Sequence, residues 1–427
     1  MASQVSPGVV IRERDFSNAT LVGASAIRGA IASTFSKGPV GKIVNIGSER
    51  ELIDTFGAPV EANAGDWLVA SEFLRYGGQL AVVRAATADV DNATLSGTGV
   101  LIATKEAFDA GVGSGEKFAA RDAGTAGNNL RVVIVDRGAD FTITKTGHGL
   151  SVGGTYTDGA SVGHEVVEVV DANTVRVIQG TAAPTAGAGE TVAAFTASDW
   201  NAQTIASTGL TYKAIGPRPG TSAFAAEHYL SHDEVHVAVV DESTNTIVER
   251  LTYLSKLIDA KSPEGSSTYW KDYVNEYSGY IYATFLTAAE VTTAGEDPGA
   301  TAVSYGATAA APLNLSRILP TAGGALSGGQ DDYAYSAGEI QTAYDLFLDT
   351  EETTIDFVLM GGDGANEADT RSKAGYVASI ANSRKDCIAF VSPWTGDQVA
   401  TSGGAALTPA TQLANTLEFM DTIASSS

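Results

Sequence analysis

The sequence predicts an α/β protein, α+β overall, with a mixed, largely parallel core assembled from N- and C-terminal segments. An inserted β-rich domain and an extended N-terminal arm complete it. Three observations carry this. Near both ends, apolar strand-like runs ("QLAVVRAA", "TTIDFVLM", "DCIAFVSP") alternate with helix-like ones ("DWLVASEFLRYGG", "EADTRSKAGYVASIANSR"), the pattern of βαβ units. Between them lie short alternating runs bounded by turn residues, "LRVVIVD", "DFTITKTG", "HEVVEVVD" and "NTVRVIQG", an all-β signature. And the first residues, "SPGVVIRERD", form a β-prone run with no hairpin mate. The expected organisation is an arm strand at 1–20, a first core part at 21–88, the β-rich insertion at 89–215 with a small β module at 138–212, and a second core part at 216–427.

The arm opens with Pro7-Gly8, a stop signal, followed by Val9, Val10 and Ile11 and the charged run Arg12-Glu13-Arg14-Asp15. Ordering such a strand costs about 1–2 kcal/mol per residue, and each ladder bond returns only about 0.5–1.5 kcal/mol. It is therefore expected to add to a sheet edge, its own or a neighbour's, with Asn18-Ala19-Thr20 as a flexible linker. "ASAIRGAIAST" is strand-like and "SKGPVGK" a turn. "SERELIDTFG" carries a capping box, Ser48 with Glu51, and Gly57 as stop. "DWLVASEFLRYGG" runs from Asp66 to Gly77-Gly78, with Trp67, Leu68, Phe73 and Leu74 suited to a buried stripe.

Past the insertion, "EVHVAVVD" is an apolar strand, and "TIVERLTYLSKLIDA" places Ile247, Leu251, Leu254 and Ile258 at helical spacing. "SAGEIQTAYDLFLD" is a helix before the strand "TTIDFVLM". "TPATQLANTLEFMDTIA" is a helix with Thr408 as N-cap and Pro409 at its first position. Residues 290–332 form a long Gly/Ala/Thr-rich segment, a length usually associated with function or mobility.

An apolar fraction of 44% against 18% charged residues marks a globular chain. The net charge of −24 argues against nucleic-acid or anionic-membrane partners, because no stretch offers the basic stripe that displaces counterions. The single cysteine, Cys387 in "CIAFV", allows no intrachain disulfide, fits a reducing compartment, and reads as a small buried hydrophobe. The N-terminus has no secretory pattern, and no apolar run reaches the roughly 18 residues of a membrane span.

No motif assembles a catalytic, cofactor or metal site. "LSGGQ" at 326–330 spells the signature loop of ABC-type ATPases, but that loop works only opposite a phosphate loop. The nearest string, "SKGPVGKIV", lacks the first glycine and has Ile43 after Lys42. The expectation is a flexible turn ahead of the helix near Glu339. "HYLSHDEVH" sets His228, His232 and His236 four apart, a zinc-like spacing on a continuous helix. The strand pattern from Asp233 ends any helix near Ser231 and turns His236 away. A metal-dependent enzyme using these histidines is the alternative of another class. "LMGGDGAN" lies at a strand–helix junction, where glycines serve the turn, and no G-x-S-x-G occurs.

Several segments, taken in order, resemble the contractile-tail sheath proteins of long-tailed phages. They are "SPGVVIRERD", "AIASTFSKGPVGKIVNIGSERELIDTFG", "FLRYGGQLAVVRAA", "ARDAGTAGNNLRVVIVD", "DEVHVAVVDE", "GSSTYWKDYVNEYSGYIYAT", "GGALSGGQDDYAYSAGEIQTAYDLF" and "IANSRKDCIAFVSP". The likeness covers nearly the whole chain apart from 138–212, a stretch similar to a small β module of phage tail proteins. It implies a structural, non-enzymatic subunit of stacked hexameric rings around a tail tube, contracting to drive the tube through a host envelope. It also implies an outward-protruding insertion, no cofactor, and an arm (Pro7, Gly8, Val9, Val10, Ile11, Arg12, Glu13) that adds strands to neighbours. The implied partners are further copies of the chain and tube, baseplate and tail-terminator proteins. The implied location is the virion tail, assembled in the host cytoplasm. The sheath of a capsid-less injection system is the alternative within this class. The family continues into a C-terminal region that this chain, stopping at "DTIASSS", is expected to lack.

Overall fold

The computed structural model describes residues 27–113, 115–136, 139–205, 208–230, 232–283, 324–399 and 406–426. The arm strand expected at 7–13, its linker at 18–20 and most of the long segment at 290–332 lie outside the described residues.

Five strands from the two ends of the described chain form one sheet. Their order is Ile388–Phe390, Phe357–Leu359, Arg28–Ser33, Gln79–Arg84, Ile43–Ile46. Every neighbouring pair is parallel except the last, where Ile43–Ile46 runs antiparallel to Gln79–Arg84. The largely parallel core is thus present, joined by the pairing of Gly29 with Phe357 and Ala30 with Val358. Because both faces are covered, the central strands are apolar at successive positions. Ile31, Leu80 and Val82 pack under helices Glu49–Phe56 and Ala64–Arg75 through Leu52, Phe56, Trp67 and Leu74. Ala30, Ala32, Ala81 and Val83 meet helices Ala337–Asp345, Glu367–Arg384 and Pro409–Ser426 on the other face.

The expected caps are in place. Ser48 Oγ accepts the Glu51 N–H at 3.2 Å, and Thr408 Oγ1 accepts the Thr411 N–H at 3.2 Å. The stripe of helix Ala64–Arg75 differs in two members: Leu68 is 54% exposed and Phe73 only partly buried, because Asp66, Ala70 and Ser71 take the buried positions with Trp67 and Leu74. Cys387 is only partly buried.

Two expectations about residues 216–283 are corrected. "TIVERLTYLS" is not helical. It is the strand Thr246–Ser255, which turns back at Asn245 (φ +52°) and pairs antiparallel with Glu234–Asp241. The helical spacing is not one face: Leu251 and Leu254 pack on one side of the strand, Ile247 on the other, and Ile258 is exposed beyond its end, with register shifts at Val235/Val237 and Val239/Val240 disturbing the alternation. Nor do these strands join the parallel sheet. Glu234–Asp241 pairs with Leu130–Val135, and Gly324–Ala325 adds to the other side of Leu130–Val135. The apolar faces of the two runs match each other and leave no open partner in the core. Strands Asn92–Thr94, Phe118–Ala123 and Ile281–Ala283 make a further small sheet.

The module is a five-stranded antiparallel sheet, Phe141–Lys145 through Glu190–Ala194, around Ile143, Tyr156, Val166, Val175 and Val177. At its base Phe195 lies under the guanidinium groups of both Arg176 and Arg218.

The last helix, Pro409–Ser426, is held by the buried Phe419 and by polar bonds. Gln412 Nε2 donates to Gln398 O at 2.7 Å, and Asn415 Nδ2 to Asp397 O at 3.2 Å. Beneath it three carboxylates surround one cation: Arg371 reaches Glu367 at 2.5 Å and Glu418 at 3.3 Å, but Asp397 only at 3.9 Å. Asp397 Oδ2 is buried without a hydrogen-bond donor. Burial first, then Glu367, Glu418 and Asp363, push the Asp397 carboxyl up against the pull of Arg371. A carboxyl raised in the folded state favours folding at low pH and loses that contribution as pH rises through its folded value. Asp397→Asn should therefore raise the melting temperature at pH 7 by roughly 1–3 °C, and the gain should vanish below about pH 4. Calorimetry across that range checks it.

Candidate functional site

The three histidines do not converge on a metal. His236 is fully buried on strand Glu234–Asp241. Its Nε2 lies 2.7 Å from Pro217 O and its Nδ1 accepts the Tyr253 N–H at 3.0 Å, so both nitrogens are occupied. Burial also holds its pKa down. His228 caps the short helix Ala223–Glu227 and turns Nδ1 back to Phe224 O. His232 sits at φ +61° in the following turn. Among the described residues no group of three or more His, Cys, Asp or Glu side chains is placed to hold a metal ion. A cavity of about 540 Å³ opens at the start of strands Arg28–Ser33 and Gln79–Arg84, lined by Arg28, Asn45, Glu51, Gln79 and Glu352. Its lining includes no histidine, cysteine or serine.

"LSGGQ" is not a free turn but a brace. Leu326 is buried, and its N–H donates to Leu130 O at 2.8 Å. Ser327 exchanges two backbone bonds with Thr94 (2.8 and 2.9 Å), and Gln330 two with Asp91 (3.2 and 3.1 Å). Between them, the Asn128 side chain donates to Gly329 O and accepts its N–H, each at 2.8 Å. Gly328 sits at φ +80°, and a Cβ there would lie 2.3 Å from Gly97 O. The backbone N–H groups of Leu326, Ser327, Gly329 and Gln330 are all spent on the protein itself.

The most demanding cluster joins the two ends of the described chain. Lys373, on helix Glu367–Arg384, has a fully buried side chain. Its Nζ donates to Asp66 Oδ1 at 2.9 Å, Tyr335 OH at 3.0 Å and Gly362 O at 3.2 Å. Asp66, on the helix of the opposite sheet face, also accepts the Gly362 N–H at 2.8 Å. Tyr335 OH donates to Asp363 O at 3.1 Å, and Tyr344 OH donates to Leu359 O at 2.7 Å. Burial opposes the charge of Lys373, but Asp66 and the two tyrosine oxygens outweigh it and hold its pKa above the usual lysine value. The glycines of "LMGGDG" make room: at Gly361 (φ +79°) a Cβ would lie 2.0 Å from Asp66 Oδ1.

A second buried cation, Arg84, ends core strand Gln79–Arg84 and donates to Gly38 O at 3.0 Å and Ala123 O at 2.9 Å. It ties the Gly38-Pro39-Val40-Gly41 turn to the neighbouring sheet. Burial lowers its pKa, with Asp122 and Asp331 opposing.

Sequence reading passed over Asp66 and Lys373. The signal was available: each occupies an apolar helical stripe, Asp66 with Ala70 and Leu74, Lys373 with Val377 and Ile380. Opposite charges on two buried stripes call for each other.

Residues 28–85 match the family model described as "Tail sheath protein Gp18 domain III N-terminal region". The chain is 27% identical over 334 residues to the tail sheath protein of Salmonella phage ViI, covering 67% of this chain and 51% of that one. It is 23% identical over 436 residues to the tail sheath protein of Enterobacteria phage T4, covering 91% and 62%. It thus spans between half and two thirds of the length of these relatives. The crystal structure of a sheath tail protein from Listeria innocua aligns over 94% of this chain and 57% of its own, with 13% identity and a TM-score of 0.36.

Three outcomes are expected. Lys373→Met strands the Asp66 charge and should cost about 3–5 kcal/mol in urea unfolding, whereas Asp66→Leu combined with Lys373→Met should recover part of it. Gly328→Val should cost roughly 1–3 kcal/mol through backbone strain. Millimolar ATP with Mg²⁺ should leave the melting temperature of the parent chain unmoved, and an ATP-dependent rise would contradict the brace.

Proposed function

We propose that this chain, a member of the contractile tail sheath family, polymerises as stacked six-membered rings around a tail tube and shortens to drive that tube through a host envelope. The observation that carries the reading is the match over 28–85. Those residues supply three of the five strands of the parallel sheet and the helices on one of its faces. The Lys373–Asp66 cluster locks them to the C-terminal helices. A subunit that must transmit force needs such a body, whose parts do not slide when its neighbours move. The work comes from the free-energy difference between two packings of the same subunits, without nucleotide.

In this reading the arm residues Pro7, Gly8, Val9, Val10, Ile11, Arg12 and Glu13 add a strand to a neighbour's sheet. Ladder bonds then persist while rigid bodies rotate about Asn18-Ala19-Thr20. The further partners are tube, baseplate and tail-terminator proteins, and the place of action is the virion tail after assembly in the host cytoplasm. The net charge of −24 favours protein partners over nucleic acid. Among the described residues no helix is long and apolar enough to cross a membrane. The sheath of a capsid-less injection system would use the same subunit chemistry.

Deleting residues 1–15 should leave a folded monomer, by circular dichroism, that no longer forms tubes or stacked rings in negative-stain micrographs. Wild-type-length sheaths from the deletion variant would sink the arm's role.

A further inference from the structure

Strand Thr246–Ser255 carries a bulge opposite His236. Val235 pairs with Leu254 and Val237 with Leu251, so Thr252 and Tyr253 together face the single residue His236. Tyr253 takes φ +58° there, a left-handed conformation that glycine enters freely and a tyrosine only when its surroundings hold it. The His236 imidazole supplies that hold. Its Nδ1 accepts the Tyr253 N–H at 3.0 Å, and the tyrosine ring stands edge-on to the imidazole with centroids 4.8 Å apart. A backbone N–H can only donate, so Nδ1 carries no proton. The proton sits on Nε2 and is donated to Pro217 O at 2.7 Å, in the segment that returns from the module. The neutral ring is satisfied on both sides, and a second proton has only Nδ1 to go to.

We propose that His236 is an acid-sensitive latch: a proton taken up at Nδ1 expels the Tyr253 N–H, frees the bulge and lets the end of strand Thr246–Ser255 part from its sheet. The strand stands at the edge of that sheet, so its end can part while Glu234–Asp241 stays paired with Leu130–Val135. Solvent is close: His236 is fully buried, but Tyr253 beside it is 44% exposed. The charged groups on the elements around the ring are engaged elsewhere. Glu234, on the same strand, favours the proton but accepts the Gly220 N–H at 2.8 Å. Lys256 is paired with Asp136 at 3.0 Å and Arg218 with Asp140 at 3.3 Å. Arg250 donates to Ala214 O at 2.7 Å, and Asp233 accepts from the Ser222 and Ser255 hydroxyls at 2.7 and 2.5 Å. Burial outweighs Glu234 and keeps the imidazole pKa below its ordinary value. The closed form therefore has its full stability above about pH 6.5, the ordinary imidazole value, and loses it as pH falls below that.

Amide hydrogen exchange of the full chain, read by mass spectrometry and corrected for the intrinsic pH dependence of exchange, tests the latch. Between about pH 7.5 and about pH 5.5, opening of peptides covering 246–255 should rise roughly tenfold while peptides covering Leu130–Val135 stay closed. His236→Gln, whose side chain takes no proton in this range, should remove the step. His236→Asn serves the same purpose if the glutamine variant does not fold. Equal opening of 246–255 at both pH values in the parent chain overturns the latch. So does a rise shared by Leu130–Val135, which is a loosening of the whole sheet. A step that persists in a folded His236 variant assigns the proton to another group and overturns it as well.

Discussion

The fold hangs on a buried ion pair between residues 307 positions apart. Lys373 and Asp66 lie on helices on opposite faces of the parallel sheet, and they meet at its end, past the Gly361-Gly362 turn. A buried charge is tolerated only when its hydrogen-bonding capacity is met. Lys373 has three donors and three acceptors. That completeness fixes the geometry around it: Tyr335 must lie at the mouth of the turn, Gly361 must lack a Cβ, and strand Phe357–Leu359 must stop where Tyr344 caps it. Parallel strands cannot be joined by a tight turn, so strands Arg28–Ser33 and Phe357–Leu359 pair only because such long-range contacts hold them. Apolar packing alone would accept several positions of these helices; the ion pair accepts one.

The core meets the neighbouring sheets at a seam crossed twice by the chain, near 85–91 and again near 330–335. Backbone pairing of Asp91 with Gln330 stitches the crossings together, and the Thr87 hydroxyl donates to Asp332 O from the same place. Arg84 then bridges from the core strand to Ala123. A single crossing would leave a hinge. Two crossings bonded to each other, with a buried guanidinium behind them, resist both bending and twisting. The "LSGGQ" stretch belongs to this seam. Its glycines are there because backbone approaches backbone too closely for a side chain, which is also why a phosphate-binding loop is glycine-rich; the shared cause explains the shared letters.

How much was legible in the sequence follows from the range of the interactions involved. Caps at Ser48 and Thr408 and the helix Glu367–Arg384 are set within a few residues, and the sequence reading placed them. The parallel character of the core was readable from apolar strands between helices. The strand Thr246–Ser255 was misread because four apolar residues happen to stand at helical spacing, although Ile247 packs on the face opposite Leu251 and Leu254 and Ile258 lies exposed beyond the strand; only pairing with Glu234–Asp241 makes the run a strand. The grouping of residues 216–283 with the insertion rather than the core was hidden for the same reason: partner choice depends on the match of whole strand faces. The clamp was half visible, as a lysine and an aspartate on apolar stripes, but nothing local says that the two stripes face one another.

A chain carrying −24 charges repels its own copies, and that shapes how a sheath of it would behave. Beyond about 8 Å the repulsion is screened at physiological salt. Copies of the chain packed face against face would feel it fully. Close packing then needs apolar contact concentrated at few places, with the acidic surface kept to the rim. The rigidity of the clamped core matters here as well. A body held this way would move as a whole, where a looser one would deform.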